Sequence, residues 1–263
     1  MVSPVIKSAG RVFEILEFFR EARHPLSVRD IAERYGYPLS STSVLVKSIA
    51  ELGYLSYDSR SRAYSMTIRV AMLGDWIYES SFGGAEIIAL MDALSLQTGE
   101  TVILAVQNDI FAQYVRVSQS RMPIQFYISP GTRRPLCMSG TGWALLSTQN
   151  DAAIVRLVQR TDSKLDKTGL FEPITIDHVM KQVKQVREQG YVYSRGTNTP
   201  GAGVIAAPLP GAVNGANLVL GIGGPIDRLD GNEASIAHQL KAAIKAYPGS
   251  VPSKSIAKSR SLL

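Results

Sequence analysis

Four consecutive hydroxyl residues, Ser40, Ser41, Thr42 and Ser43, stand at the front of the segment PLSSTSVLVKSIAELGYL, and Lys47 follows about one helical turn later. Hydroxyl side chains compete for backbone hydrogen bonds and are poor choices for a helix interior. At the front of a helix pressed against nucleic acid they have a use, because they bond phosphate oxygens and base edges without blocking close approach. Val44 is placed either to touch a thymine methyl or to pack inside. Other reactive residues are sparse. Cys137 is the single cysteine, and His24, His178 and His238 are scattered, with no carboxylate or thiol at metal-ligand spacing from them. Nucleophilic catalysis needs a base positioned beside the nucleophile, and no histidine neighbours Cys137 in sequence. A small buried hydrophobe or a pocket wall is the simpler role for it. The glycine-rich GIGGP runs into a proline and not a helix, so it fails the context of a nucleotide-binding loop. No metal, cofactor or catalytic residue is expected.

These residues need elements to hold them. Val12, Ile15, Leu16 and Phe19 fall at i, i+3, i+4 and i+7, one face of a first helix. Ser27 and Asp30 have capping-box spacing, and VRDIAERYG runs on to Gly36 as a second helix of about two turns. Pro38 and Ser40 open a third helix, with its buried stripe expected at Leu45, Ile49 and Leu52 and its end at Gly53. Two short helices about a tight turn, the second rich in hydroxyls, make a helix-turn-helix. Ser27, at the front of its supporting helix, joins the DNA-facing set. Residues 54–57 and 63–66 read as strands around the turn DSRSR. A hairpin directly after a helix-turn-helix is a wing, and Arg60 and Arg62 at its tip are expected to reach phosphates or a minor groove. Ile68, Ala71, Met72 and Trp76 mark an amphipathic linker or dimer helix running to Tyr78.

Beyond residue 84 the signals are mixed α and β. Helices are expected over residues 87–98, 142–147, 154–159, 176–189 and 236–247, and strands over TVILAVQN, FAQYVRVS, 204–209 and 218–222. The resulting plan is α+β: a winged helix-turn-helix over residues 5–66, a linker helix over 67–83, an effector-binding domain with an antiparallel sheet over 84–249, and a loose basic tail over 250–263. At 263 residues, with 45% hydrophobic and 19% charged, the chain can build a sizeable core. The net charge of +6 permits a polyanionic partner, with surpluses of two positive charges in residues 1–65, one in 66–249 and three in 250–263. One cysteine excludes an intramolecular disulfide framework and fits a reducing compartment. With no apolar run near 18 residues, no membrane span is expected and a cytoplasmic location is.

The motifs in order resemble those of the IclR-type transcriptional regulators. At the front the resemblance rests on SAGRVFEILEFF, PLSVRDIAERYGYP and LGYLSYD; further on it rests on TGETVILAV, GTRRPLCMSGTGWALLS, VREQGY, IAAPL, GIGGP and Arg228. It extends from about Lys7 to Tyr247. The resemblance implies a winged helix-turn-helix, a linker helix and a GAF-like effector domain, in dimers often paired into tetramers that bind operator DNA and respond to small metabolites. In the recognition helix this chain has Leu39, Ser43 and Val44 where relatives commonly carry basic residues and a His-Arg pair, which shifts readout toward Ser40, Ser41, Thr42, Ser43 and Lys47. In the effector domain, Cys137 and Trp143 stand where histidine and lysine are frequent. Relatives hold keto acids through amides matching Gly140 and Thr141, and use late-strand serines where this chain has Gly221 and Gly223. A family acidic position falls near Gly196 and Thr197. The implied effector set is Cys137, Met138, Ser139, Gly140, Thr141, Trp143, Thr197, Val204, Gly221 and Gly223. Fewer polar groups imply a bulky or aromatic compound, or an acid held by the Gly140 and Thr141 amides. Trp143 is open between core and pocket wall, and Arg133 between ligand contact and structural arginine. The second reading is an enzyme or metabolite-binding protein whose front domain serves association.

Overall fold

The computed structural model describes residues 6–73, 84–165, 174–213 and 216–247. The chain divides into two compact units, residues 1–79 and 80–263.

In the first unit α1 (Lys7–Ala22) buries Ile15 and Phe19 and ends where Arg23, at φ 55°, returns its amide to the Phe19 carbonyl. Both bonds of the capping box form at α2 (Val28–Tyr35): the Asp30 amide donates to the Ser27 hydroxyl, and the Ser27 amide donates to the Asp30 carboxylate. Gly36, at φ 65°, closes that helix in the left-handed region. The helix α3 (Leu39–Glu51) buries Thr42, Val46 and Ile49 against α1 and α2. The stripe thus differs from the expected one. Leu45 is only half-buried, and Leu52 is 63% exposed because α3 stops at Glu51 and the chain leaves the core face. Tyr54 and Leu55 fill that place in the core. Strands β1 (Leu55–Asp58) and β2 (Ala63–Met66) pair antiparallel from Leu55↔Met66 to Asp58↔Ala63, and Leu26 bridges to Tyr64. The wing is therefore tied to the segment just before α2. A five-residue helix, α4 (Ile68–Met72), follows. Trp76, Tyr78 and the rest of the expected linker helix lie outside the described residues, as does the tail over 250–263.

The second unit is built on a six-stranded antiparallel sheet in the order β5-β4-β3-β8-β7-β6, from β3 (Thr101–Asn108), β4 (Phe111–Ser118), β5 (Arg133–Pro135), β6 (Val192–Arg195), β7 (Ala202–Val213) and β8 (Ala216–Pro225). Alternation along the strands gives each face its own core. Val102, Leu104, Ile205 and Leu220 pack with α5 (Gly84–Thr98), α9 (Ile226–Asp230) and α10 (Glu233–Ala246). Ala206 and Val219 pack with α6 (Gly140–Leu146), α7 (Asp151–Leu165) and α8 (Ile176–Gln189) on the other side. A 3-10 turn at Leu136–Met138 leads into α6. The short elements β5, β6 and α9 were not among the expected ones, because three to five residues carry too little periodicity to read.

The front of α6 is packed hard. A Cβ at Gly142 would overlap the Leu136 backbone, with nothing flexible to give way. Gly142→Ala is therefore expected to cost about 2 kcal/mol, as overpacking of a rigid core does, seen as a lowered midpoint in urea unfolding. An unchanged midpoint would mean that the turn at Leu136–Met138 yields freely.

Candidate functional site

The first unit presents a groove. One wall is the α3 row Leu39, Ser40, Ser43, Lys47, Ala50 and Glu51, spaced at helical intervals; the others are Ser27, Val28 and Arg29 at the front of α2, and Tyr57, Arg62 and Tyr64 of the wing. It encloses about 1040 Å³ and is widely open. Ser40, Lys47 and Arg62 are exposed, and neither Lys47 nor Arg62 is ion-paired among the described residues. Asp58 shapes the wing tip by accepting bonds from the amides of Arg60 and Ser61 and from the Ser61 hydroxyl. Those bonds hold its carboxyl below the usual range.

The expected contact residues do not all share this groove. Ser41 and Val44 are exposed on the adjoining face of α3, with Val44 66% exposed and so not packed inside. Arg60 is exposed at the wing tip outside the groove lining. Thr42 is 2% exposed and its hydroxyl donates to the Pro38 carbonyl at 3.0 Å, which turns it into the core and away from any partner. Ser27 does line the groove, where its hydroxyl oxygen accepts the Asp30 amide of the capping box. Glu51 lies in the groove and repels a polyanion. Glu51→Gln is expected to tighten binding to every duplex by up to about fivefold, on the ~1 kcal/mol scale of a unit charge pair in water at 4 Å, measured by anisotropy on specific and random DNA.

Two cavities of the second unit gather the expected effector residues. The less open of them, about 120 Å³, is lined by Tyr114, Phe126, Tyr127, Ile128, Arg134, Ser139, Gly140, Ser194, Thr197, Asn198, Thr199, Ala202, Gly203, Val204, Gly223 and Gly224. Gly203 and Gly224 pair across β7 and β8 at its edge, and a side chain on either would run into Tyr193 and Leu229 or into the Glu100 carboxylate. Of the expected effector residues this cavity gathers Ser139, Gly140, Thr197, Val204 and Gly223. Thr141 is fully buried behind it and donates to the Tyr114 hydroxyl oxygen at 3.5 Å, while Gly221 packs under the Thr141 methyl. Cys137, Met138 and Trp143 line a separate, more open cavity with Ile174, Thr175 and His178, which meets the first at Thr197.

Trp143 serves core and wall together: it is 3% exposed, and its indole N–H donates to the Cys137 carbonyl at 2.9 Å. Burial pushes the Cys137 thiol up, so it stays protonated, 3.7 Å from the Thr161 hydroxyl. Arg133 is neither a cavity residue nor ion-paired among the described residues; it stacks on the Phe111 ring at 4.1 Å. Tyr114, Arg134, Ser194 and Asn198 are cavity residues that sequence reading missed. The Arg-Arg doublet carried a signal, since neighbours on a strand face opposite sides and one of the two must turn inward.

A charged latch holds the loop beyond β4. Glu100, 3% exposed, accepts two bonds from the Arg228 guanidinium, one of them 2.7 Å from Nη2 to Oε2. The same guanidinium donates from Nη1 to the Ile124 carbonyl at 2.9 Å. Gln119 reinforces the loop by donating to the Phe126 carbonyl at 2.8 Å.

Comparison with known proteins agrees with this architecture. The family model for the bacterial transcriptional regulator IclR C-terminal domain matches residues 85–247, and that for the IclR helix-turn-helix domain matches residues 8–59. The chain is 23% identical over 244 residues to the HTH-type transcriptional regulator XynR of Escherichia coli, covering 91% of this chain and 95% of XynR. It is 26% identical over 222 residues to the HTH-type transcriptional repressor AllR of Salmonella typhimurium, covering 83% and 80%. Among solved structures, the effector domain of a transcriptional regulator IclR from Acinetobacter sp. ADP1 is 34% identical with a TM-score of 0.57, over 62% of this chain and 94% of that one. An IclR regulator of Alicyclobacillus acidocaldarius shares the fold over 94% of this chain and all of its own, with a TM-score of 0.69 at 21% identity. The enzyme reading gains no support from these matches. With one model covering the groove unit and the other the cavity unit, the chain belongs to the IclR family of bacterial transcriptional regulators.

Proposed function

We propose that the groove between α3 and the wing seats the backbone of an operator duplex, and that the cavity beside Tyr114 and Gly140 in the second unit takes a small effector whose binding changes operator affinity. The observation that carries the reading is the convergence of Ser40, Ser43, Lys47 and Arg62 on one open groove, with their hydrogen-bonding and cationic groups free of ion pairs among the described residues. Phosphate contacts fix the register, and Ser41 and Val44, exposed beside the groove, are placed to meet base edges in a major groove. A homodimer on a palindrome fits this reading. Ile68, Met72 and Leu73 are 77%, 63% and 56% exposed on or just after α4, an apolar stripe of the kind a second copy covers. The proposed setting is a cytoplasmic regulator of a catabolic operon.

The cavity also bears on the effector. Sequence reading favoured a bulky or aromatic compound because glycines replace serines on the late strand. The cavity is about 120 Å³ and partly open, and its walls include the polar groups of Arg134, Tyr114, Ser139, Ser194 and Asn198. A small polar organic compound therefore fits the reading better than a bulky one. A side chain at Gly140 would overlap the Ser194 hydroxyl and crowd the Val204 carbonyl, so only glycine fits there.

The test is fluorescence anisotropy of the full chain on duplexes from its own upstream intergenic region, over a range of salt. Saturable binding with a steep salt dependence, about −0.9 in log-log slope per phosphate neutralised, is the expected result. Equal affinity for that region and for random duplex at every salt concentration would sink the operator reading.

A further inference from the structure

We propose that Val44 is the specificity-determining residue of α3, and that it selects operator sites by meeting the C5 methyl group of a thymine in the major groove. The proposal deepens the operator reading above and rests on it. Helix geometry puts Val44 at the outer pole of α3. With about 100° between successive residues, it falls about 170° from the middle of the buried stripe Thr42, Val46 and Ile49, and it is 66% exposed. Its neighbours one turn away are Ser40, Ser41, Lys47 and Ser48, so three of the four are short and let another surface come close to the valine. A β-branched side chain in a helix keeps one preferred rotamer, which holds both methyl groups in place before any partner arrives.

Little else on the outer side of α3 can tell one base pair from another. The helix contains no Arg, Asn, Gln or His, so it lacks both the fork that reads guanine and the amides that read adenine. The Ser41 hydroxyl donates to the Pro38 carbonyl at 3.1 Å and the Ser48 hydroxyl to the Val44 carbonyl at 3.0 Å, which spends both donors on the helix itself. Ser40 and Ser43 make no such bond among the described residues, but a hydroxyl rotates to donate or accept and so suits any base edge. Lys47 lines the groove with Arg62, on the side that the operator reading gives to phosphates. Glu51 ends the helix about 10 Å further along the axis than Val44, whereas base contacts come from the front of a recognition helix. Leu39 lies about 140° round the helix from Val44 and lines the groove with Tyr57 of the wing. Val44 is left as the discriminating group at the pole.

The chemistry of the major groove then names the target. A valine side chain neither donates nor accepts a hydrogen bond, and the thymine C5 methyl is the only methyl group that a standard base pair shows there. Opposite a thymine, the two apolar groups leave water together. Opposite a cytosine, the valine would instead cover the N4 amino group and leave a donor without a partner. Deoxyuridine pairs as thymidine does and differs from it only by the missing methyl, so to this helix it should read as a wrong base.

The experiment is anisotropy of the full-length protein and of Val44→Ala on two duplexes, the upstream intergenic region and a random sequence of the same composition. Each duplex is made once with thymidine throughout and once with deoxyuridine throughout. Val44→Ala is expected to fold as wild type does, because alanine suits an exposed helix position better than valine. Wild type should bind the deoxyuridine form of the intergenic duplex about 15-fold more weakly than the thymidine form, since burying one methyl group is worth about fourfold and a palindrome presents one in each half-site. The random duplex should change by less than about twofold, because phosphates carry that binding. Val44→Ala should bind the two intergenic forms within about twofold of each other, which isolates the contact of the valine with the base methyl. Single deoxyuridine substitutions should then trace the effect to one position in each half-site. Equal binding of the two forms by a wild type that still prefers the intergenic duplex would overturn the proposal and leave the operator reading standing. So would a loss of the same size in Val44→Ala, or one spread evenly over many thymines. Selectivity that survives deoxyuridine but disappears in Lys47→Ala would transfer the base reading to that lysine and overturn the proposal as well. Equal affinity of wild type for the intergenic and random duplexes would overturn both readings together.

Discussion

Arg228→Met should lower the stability of the effector unit by about 3 kcal/mol, the cost of leaving one partner of a buried ion pair uncompensated. The Glu100 side chain is 4% exposed and that of Arg228 28%, so the carboxylate has little water to fall back on when the guanidinium goes. The other ion pairs are of a different kind. Arg195 with Asp230 and Glu233, Arg187 with Asp151, and Arg34 with Glu21 all have side chains 30% or more exposed, and such surface pairs are worth little. At roughly 2–4 °C per kcal/mol for a unit of this size, the variant should melt about 6–12 °C lower by calorimetry. The Ile124 carbonyl loses its partner in the same substitution, so amides of residues 121–128 should exchange faster with solvent. Glu100→Leu combined with Arg228→Met should recover part of the loss, because two apolar groups leave no buried charge. A drop below about 1 kcal/mol in the single variant would show that water reaches Glu100 and that the latch is not a closed one.

The latch also shows which parts of this molecule are readable from sequence. Glu100, in TGET, and Arg228, after GIGGP, were both picked out as motif residues, but 128 positions separate them and only the fold shows that they are partners. Local signals read well. The capping box at Ser27 and Asp30 and the stops at Gly36, Gly99 and Gly190 were legible because each is set by residues within one turn of chain. The wing was legible too, since two alternating strands flank a short polar turn. The face of α3 was not. Its three-residue spacing allowed Leu45, Ile49 and Leu52 as well as Thr42, Val46 and Ile49, and the choice depends on where α3 ends against β1. Thr42 was consequently grouped with the hydroxyls that face outward. Arg134 and Tyr114 escaped for a related reason: their meeting depends on the register of a three-residue edge strand joined to β4 by a long irregular loop. Pocket size lay equally out of reach, because Gly221 and Gly223 look alike in sequence. Only Gly223 faces the cavity, while Gly221 is covered by Thr141 and Val204.

The groove yields the second large effect, and the backbone at Arg62 supplies the argument. Arg62 sits at φ 53°, in a region that costs a side chain roughly 1 kcal/mol or more and that glycine occupies freely. An arginine kept in such a position is a reason to look for a use of the side chain, and Arg62 lines the groove with Lys47 across from it. Arg62→Gly should therefore fold at least as stably as wild type, yet bind operator about tenfold more weakly. Combined with Lys47→Ala, the loss should approach about 100-fold near physiological salt, and the log-log salt slope should shrink by about 1.8 if each cation neutralises one phosphate. Random duplex should weaken in the same proportion, because phosphate contacts carry no sequence information. Ser41→Ala and Val44→Ala should behave in the opposite way, lowering the ratio of specific to random binding while leaving the salt slope in place. A double variant whose slope matched wild type would place the phosphate contacts elsewhere, with Arg60 at the wing tip and Arg29 at the front of α2 as the exposed cations next to be removed. A slope reduced as expected, with specificity intact, would divide the work of the fold as its chemistry divides it. The groove cations then supply affinity, and the hydroxyl and valine face of α3 supplies choice.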